Sequence, residues 1–170
     1  MYPKAYIHYL AHFHGDRDFF ECHEILEEYW KEVDKRNKRS VWVGLILIAV
    51  SAYHHRRQNL NGAKKTLKKG MEILQEHSSS LRELGIHAEQ FFQVLQNEME
   101  HLQKNAIFLP YDIPLNDRKL EIECMELCKK INIEWKCSLD VPPEVINRHL
   151  TRDRSIVLKE REEAIRKRKK

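Results

Sequence analysis

Between Phe19 and Trp30 the chain reads FFECHEILEEYW, one histidine and four carboxylates held between aromatic residues. His23-Glu24-x-x-Glu27 echoes the HExxH helix of zinc peptidases, where two histidines four apart bind one metal and the glutamate acts as base. Here Glu27 stands where the second histidine would. A His/Glu pair at i,i+4 can still chelate a divalent metal if a facing helix supplies another ligand. His54, or its neighbour His55, is the candidate for that place. The metal set is then His23, Glu27 and His54, within a wider polar cluster of Glu21, His23, Glu24, Glu27, Tyr53 and His54. The competing reading is structural. A partly buried His23 donates to Glu27 or Tyr53, because a buried polar group left unpaired costs about 1–3 kcal/mol. The hydrogen-bond network is the leading reading, with no cofactor; one divalent metal is the alternative.

Other chemistry is thinner. His8 and His12 are four apart but lack a third ligand nearby in sequence. Glu98-x-x-His101 is half of a di-iron bundle motif, which needs a second such pair and two further glutamates. No Gly-rich phosphate loop or GxSxG elbow occurs. Cys22 and His23 are adjacent, and helical neighbours diverge by about 100°, so they make a poor nucleophile–base pair. Of the four cysteines, Cys124 and Cys128 read as small buried hydrophobes on one helix face. No C-x-x-C unit suggests structural zinc. From Arg148 to Lys170, ten Lys/Arg face four Asp/Glu, which leaves the rest of the chain slightly acidic. The terminal Arg166, Lys167, Arg168, Lys169 and Lys170, with Arg148, Arg152 and Arg154 upstream, are candidates for binding nucleic acid or a partner. No aromatic residues are interleaved there to stack bases, so nucleic acid ranks as the second alternative.

The elements that position these residues are helical. Pro is absent from Lys4 through Leu109, and the whole chain of 170 residues has only five Gly. A first helix is expected from Pro3 to about Phe13, and a second to about Val33, capped by Asp16. On the second, Phe19, Cys22, His23, Leu26, Tyr29, Trp30 and Val33 share one face, with Glu27 at its edge. Ser40 caps a third helix over Val41 to Tyr53, apolar on every side and so central. A fourth, capped by Asn61 and carrying Leu60, Ala63, Leu67, Met71 and Leu74, forms an antiparallel hairpin with it. Ser78-Ser79-Ser80 is a break, and a fifth long helix runs from Ala88 to near Asn105. Leu109 to Leu115 holds two prolines and reads as an extended strap. Asn116 or Asp117 caps a helix to about Lys130, and Ile131 to Trp135 is a candidate short strand. A short helix follows Pro142-Pro143, and a charged helix over Thr151 to Lys170 ends the chain.

RDFFECHEILEEYW and GLILIAVSAYHHRRQNLNGAKKTLKKG together resemble the bacterial and archaeal family known as domain of unknown function 309. The resemblance spans roughly Ile7 to Leu74, and the whole chain is similar to the longer Bacillus-type members. It implies a small, all-helical, up-and-down bundle and brings no activity, substrate or ligand with it. His23-Glu24 and Tyr53-His54 match the family pattern, whereas many members carry glutamine where Leu47 stands.

The expectation is an all-α, up-and-down bundle of about five helices over residues 1–106. A proline-containing strap and charged helical extension follow over residues 107–170. No run approaches the roughly 18 apolar residues of a membrane span, and no secretory leader is visible, so a cytoplasmic setting without membrane is expected. The leading functional reading is a non-enzymatic module that binds or scaffolds another macromolecule, with a homodimer among its forms; the first alternative is a metal-binding or metal-dependent hydrolytic protein centred on His23, Glu24, Glu27 and His54.

Overall fold

The computed structural model describes residues 1–137, 141–151 and 155–168. Among them are ten helices and no strand. They are α1 (Lys4–His14), α2 (Phe19–Val33), α3 (Val41–Arg56), α4 (Leu60–Glu76), α5 (Ser78–Glu83), α6 (Ala88–Gln103), α7 (Arg118–Lys130), α8 (Pro143–Ile146), α9 (Arg148–Thr151) and α10 (Ser155–Arg168). The all-helical expectation holds.

The α1–α2 turn is tighter than its composition suggests. Arg17 is buried and adopts φ 57°, a left-handed conformation uncommon outside glycine. That twist moves the cap of α2 from Asp16 to Asp18, whose Oδ1 accepts from Glu21 N at 3.1 Å. Asp16 instead accepts from His12 Nδ1 at 3.0 Å and from Asp18 N at 3.2 Å. The Arg17 guanidinium holds the turn by donating to Phe13 O, at 3.1 Å, and to Tyr111 O, at 3.0 Å.

α3 lies at the centre. Its buried residues cover most of the helix circumference and leave one face, that of Val43, Leu47, Val50 and His54, only half-buried. It packs on α2 and, most extensively, on α4. The α3–α4 crossing is close because both helices place glycine there: a Cβ on Gly70 would stand 3.2 Å from Gly44 O and 3.0 Å from Ile48 Cδ1. Asn59 rather than Asn61 caps α4, since Gln58 takes φ 62° and ends α3 abruptly. The serine run forms α5 rather than a break, anchored by buried Leu81, and Gly85 at φ 71° turns the chain toward α6.

The core continues past residue 106. Ile113 of the strap and Leu120 and Cys124 of α7 belong to the same buried cluster as Phe13, Leu45 and Phe91. Ile113 N donates to His14 Nε2 at 3.1 Å, and His87 N to Pro114 O at 2.8 Å, which stitch the strap to α1 and α6. Asp117 caps α7. Ile131 to Trp135 is not a strand. Asn132 takes φ 60°, and the segment turns so that the Trp135 ring lies 4.7 Å from that of His14.

Candidate functional site

Periodicity places the candidate side chains along one face. On α2, Phe20, His23, Glu27 and Trp30 recur at i, i+3, i+7 and i+10, and on α3 and its C-cap, Val43, Leu47, Val50, His54 and Arg57 recur at i, i+4, i+7, i+11 and i+14. All but buried Phe20 are half-buried, and the two rows face each other across a groove. Two hollows open in it and share His23 and Val50. One, about 350 Å³, lies between Glu27, Trp30 and Lys38 on one side and Val43, Ile46 and Leu47 on the other. The second, about 230 Å³, is walled by Phe19, Phe20, Val50 and Tyr53. Its polar lining is His23, His54, Arg57 and His149.

At the shared wall, His23 Nε2 pairs with Glu27 Oε2 at 3.0 Å, and Glu27 Oε1 pairs with Lys31 at 3.1 Å. The hydrogen bond from His23 holds the Glu27 carboxyl down at about 2, with help from Lys31 and against the cost of burial. The i,i+4 pair expected from the sequence is therefore formed. Tyr53 turns elsewhere: its hydroxyl bonds His149 Nδ1, and burial raises its pKa. His54 Nδ1 accepts from Asn59 Nδ2 at 3.0 Å, because the Asn59 carbonyl is committed to Gly62 N. His54 is thus neutral with its proton on Nε2, and burial together with the Arg57 charge holds its pKa below the usual range. Glu21 and Glu24 are half-buried on α2 and line neither hollow. Among the described residues, no three His, Cys, Asp or Glu side chains converge as metal ligands.

His12 is engaged with Asp16, and burial pushes the Cys22 thiol well above its ordinary range while its Sγ donates to Tyr9 O. Glu98 is buried against His55, with Oε1 2.6 Å from Nδ1, and His101 Nδ1 stands 4.0 Å from its other oxygen. Arg166 and Lys167 are exposed on α10, whose backbone ends at Arg168. Arg152, Arg154, Lys169 and Lys170 lie outside the described residues.

The sequence did not announce the closure of the groove by α9. Arg148 donates to Asp18 Oδ2 through Nε at 3.0 Å and Nη2 at 2.7 Å, His149 reaches Tyr53, and Asn147 Oδ1 accepts from Arg57 Nε at 3.4 Å. Such partners lie 90 to 130 positions apart, beyond any local pattern. Arg57, in contrast, continues the α3 stripe and was legible as its next member.

The family described as domain of unknown function (DUF309) matches residues 6–66, which hold most of α1, all of α2 and α3 and the start of α4. A protein of Bacillus subtilis (strain 168), "Uncharacterized protein YpuF", is 42% identical over 171 positions, covering all of this chain and 98% of the relative. The chain belongs to the domain of unknown function 309 family. Both rows of the groove, from Phe20 to Arg57, fall inside the family match, whereas α9 lies outside it. Leu47, where many family members are expected to carry glutamine, lines the larger hollow beside His23 and Glu27. No solved structure matches the chain.

Proposed function

We propose that this chain is a non-enzymatic binding module that receives a protein partner along the α2–α3 groove. One observation carries the reading. A half-buried, largely apolar groove of about 21 Å, from Val43 to Arg57 at about 1.5 Å per residue, is left uncovered by the other described residues except at the α9 end. Covering such a surface with a partner removes apolar area from water at roughly 25 cal/mol per Å². The reactive groups nearby support binding over chemistry, because His23 is committed to Glu27 and the Cys22 thiol is buried and protonated.

A photoreactive amino acid placed at Leu47, and separately at exposed Ile122 on α7, tests this in the native host cell. We expect a discrete covalent adduct from position 47 that disappears when Val50→Asp is added. The same adducts from both positions, or none from position 47, would overturn the reading.

A further inference from the structure

We propose that the groove recognises the C-terminus of its partner. A terminal apolar side chain fills the smaller hollow, and the free α-carboxylate pairs with Arg57. This rests on the groove being a binding surface and adds what is bound there.

Size comes first. A hollow of about 230 Å³ holds roughly eight water-sized groups at about 30 Å³ each. That suits one side chain with its carboxylate and falls below the roughly 300–1,000 Å³ of sites for larger ligands. The walls of Phe19, Phe20, Val50 and Tyr53 favour an apolar side chain.

Charge comes second. Among the described residues no carboxylate lines this hollow, and each polar group that does is a cation or a potential donor. Arg57 has no carboxylate partner among the described residues. Its Nε is weakly engaged by Asn147 Oδ1 at 3.4 Å, and its guanidinium sits 5.5 Å from the centroid of the Tyr53 ring. The two terminal nitrogens remain, and a guanidinium fork matches a carboxylate in two parallel hydrogen bonds. His54 has a neutral ring with its proton on Nε2, and so adds a donor without demanding an anion of its own. Glu27, which lines the other hollow, is paired with both His23 and Lys31. Asp18 is tied to Arg148. An ammonium terminus would therefore meet Arg57 with no acid to offset it.

Direction comes third. α9 and the residue before it bridge the two helices at this end, through Asn147 to Arg57, Arg148 to Asp18 and His149 to Tyr53. At the other end His23 and Val50 form the wall shared with the larger hollow between Trp30, Lys38 and Leu47, farther along the same α2–α3 groove. A chain entering from the larger hollow therefore ends where Arg57 stands. A segment passing through would collide with α9. This geometry selects a terminus over an internal stretch.

The test uses the full chain and the peptide acetyl-Ala-Ala-Leu-Phe, prepared as the free acid and as the C-terminal amide, with 3-phenylpropionate as the small-acid probe. Affinities are read from amide chemical-shift titrations. We expect the free acid to bind about tenfold or more tighter than the amide. Arg57→Gln should reduce the acid to the affinity of the amide, and Arg57→Lys should fall between. Val50→Trp, which fills the hollow, should abolish both, with each variant checked for folding by circular dichroism. Equal binding of acid and amide, an acid preference that survives Arg57→Gln, or no binding of the acid at millimolar concentration would overturn the proposal. So would 3-phenylpropionate binding as tightly as the peptide, which would assign the site to a small carboxylate. The two readings fail separately. An unchanged position-47 adduct in Arg57→Gln cells keeps the groove and discards carboxylate recognition, whereas no adduct in the wild-type background discards the groove itself.

Discussion

His14 is buried, and its Nε2 accepts the Ile113 N–H, so its single proton must sit on Nδ1, which has no partner among the described residues. Burial pushes its pKa down to about 3 from the ordinary 6.5. The folded chain therefore keeps His14 neutral while the unfolded chain takes up a proton below about 6.5. The stabilisation is complete above that value and is lost as pH falls toward 3. Urea unfolding at pH 7 and pH 4.5 should show the drop in stability between them shrinking by about 2 kcal/mol in His14→Gln. An equal drop in both proteins would refute it. The buried His55–Glu98 pair makes a second residue-scale prediction. His55 Nε2 donates to Ala106 O at 2.8 Å, so one further proton is shared between Nδ1 and the carboxyl, whose pKa burial raises against the pull of His55. Glu98→Gln preserves a donor to Nδ1 and should cost under about 1 kcal/mol, whereas Glu98→Leu strands the ring and should cost about 3 kcal/mol. Chemical denaturation of both variants separates these outcomes. By contrast, Glu27 is over a third exposed, and salt and water screen its pairs with His23 and Lys31, so Glu27→Gln should change stability by less than about 1 kcal/mol.

At the scale of elements, the α3–α4 crossing is the least forgiving seam. Gly70→Leu would drive a side chain into Gly44 O and Ile48, and overpacking of this kind typically costs about 1–3 kcal/mol. A thermal melt of Gly70→Leu should move down by several degrees, while Lys69→Leu on the exposed face should hardly move. Helix types and order were readable because the 3.6-residue period of apolar positions is local. The caps were less so. Asp16 and Asn61 were misplaced as boundaries because Arg17 and Gln58 adopt positive φ, and the serine run because it follows a turn at His77 rather than making one. A left-handed arginine or glutamine has no composition signal, unlike a glycine. The same limit governs the site. The His23–Glu27 pair was legible because i,i+4 spacing on a helix fixes proximity, whereas the partners of Tyr53 and Asp18 on α9 were not.

For the whole molecule, one core runs from α1 through the strap to α7, and α8–α9 attach to it through a few polar contacts and buried Val145. The attachment centres on Asp18 and Arg148, with Arg148 partly exposed and Asp18 nearly buried. Arg148→Ala should therefore release α8–α9 without unfolding the bundle. Hydrogen exchange should rise over residues 143–151 and stay unchanged over α3 and α4. Uniformly faster exchange in all helices would show instead that this latch supports the entire fold. α10 carries exposed Leu158 and a basic end, and no helix among the described residues is long and apolar enough to cross a membrane.

Three buried thiols divide the bundle into two seams. Cys22 lies beneath α2 against Tyr9 of α1, while Cys124 and Cys128 line the face of α7 that meets α1. Burial raises the pKa of all three, with Cys124 near 12 and Cys128 near 11, so none reacts at neutral pH until its seam parts. Alkylation of each thiol is in effect a clock on one helix pair. With iodoacetamide in mild denaturant and peptide mapping, the order in which Cys22 and the α7 pair are modified reports whether α2 or α7 separates first from α1.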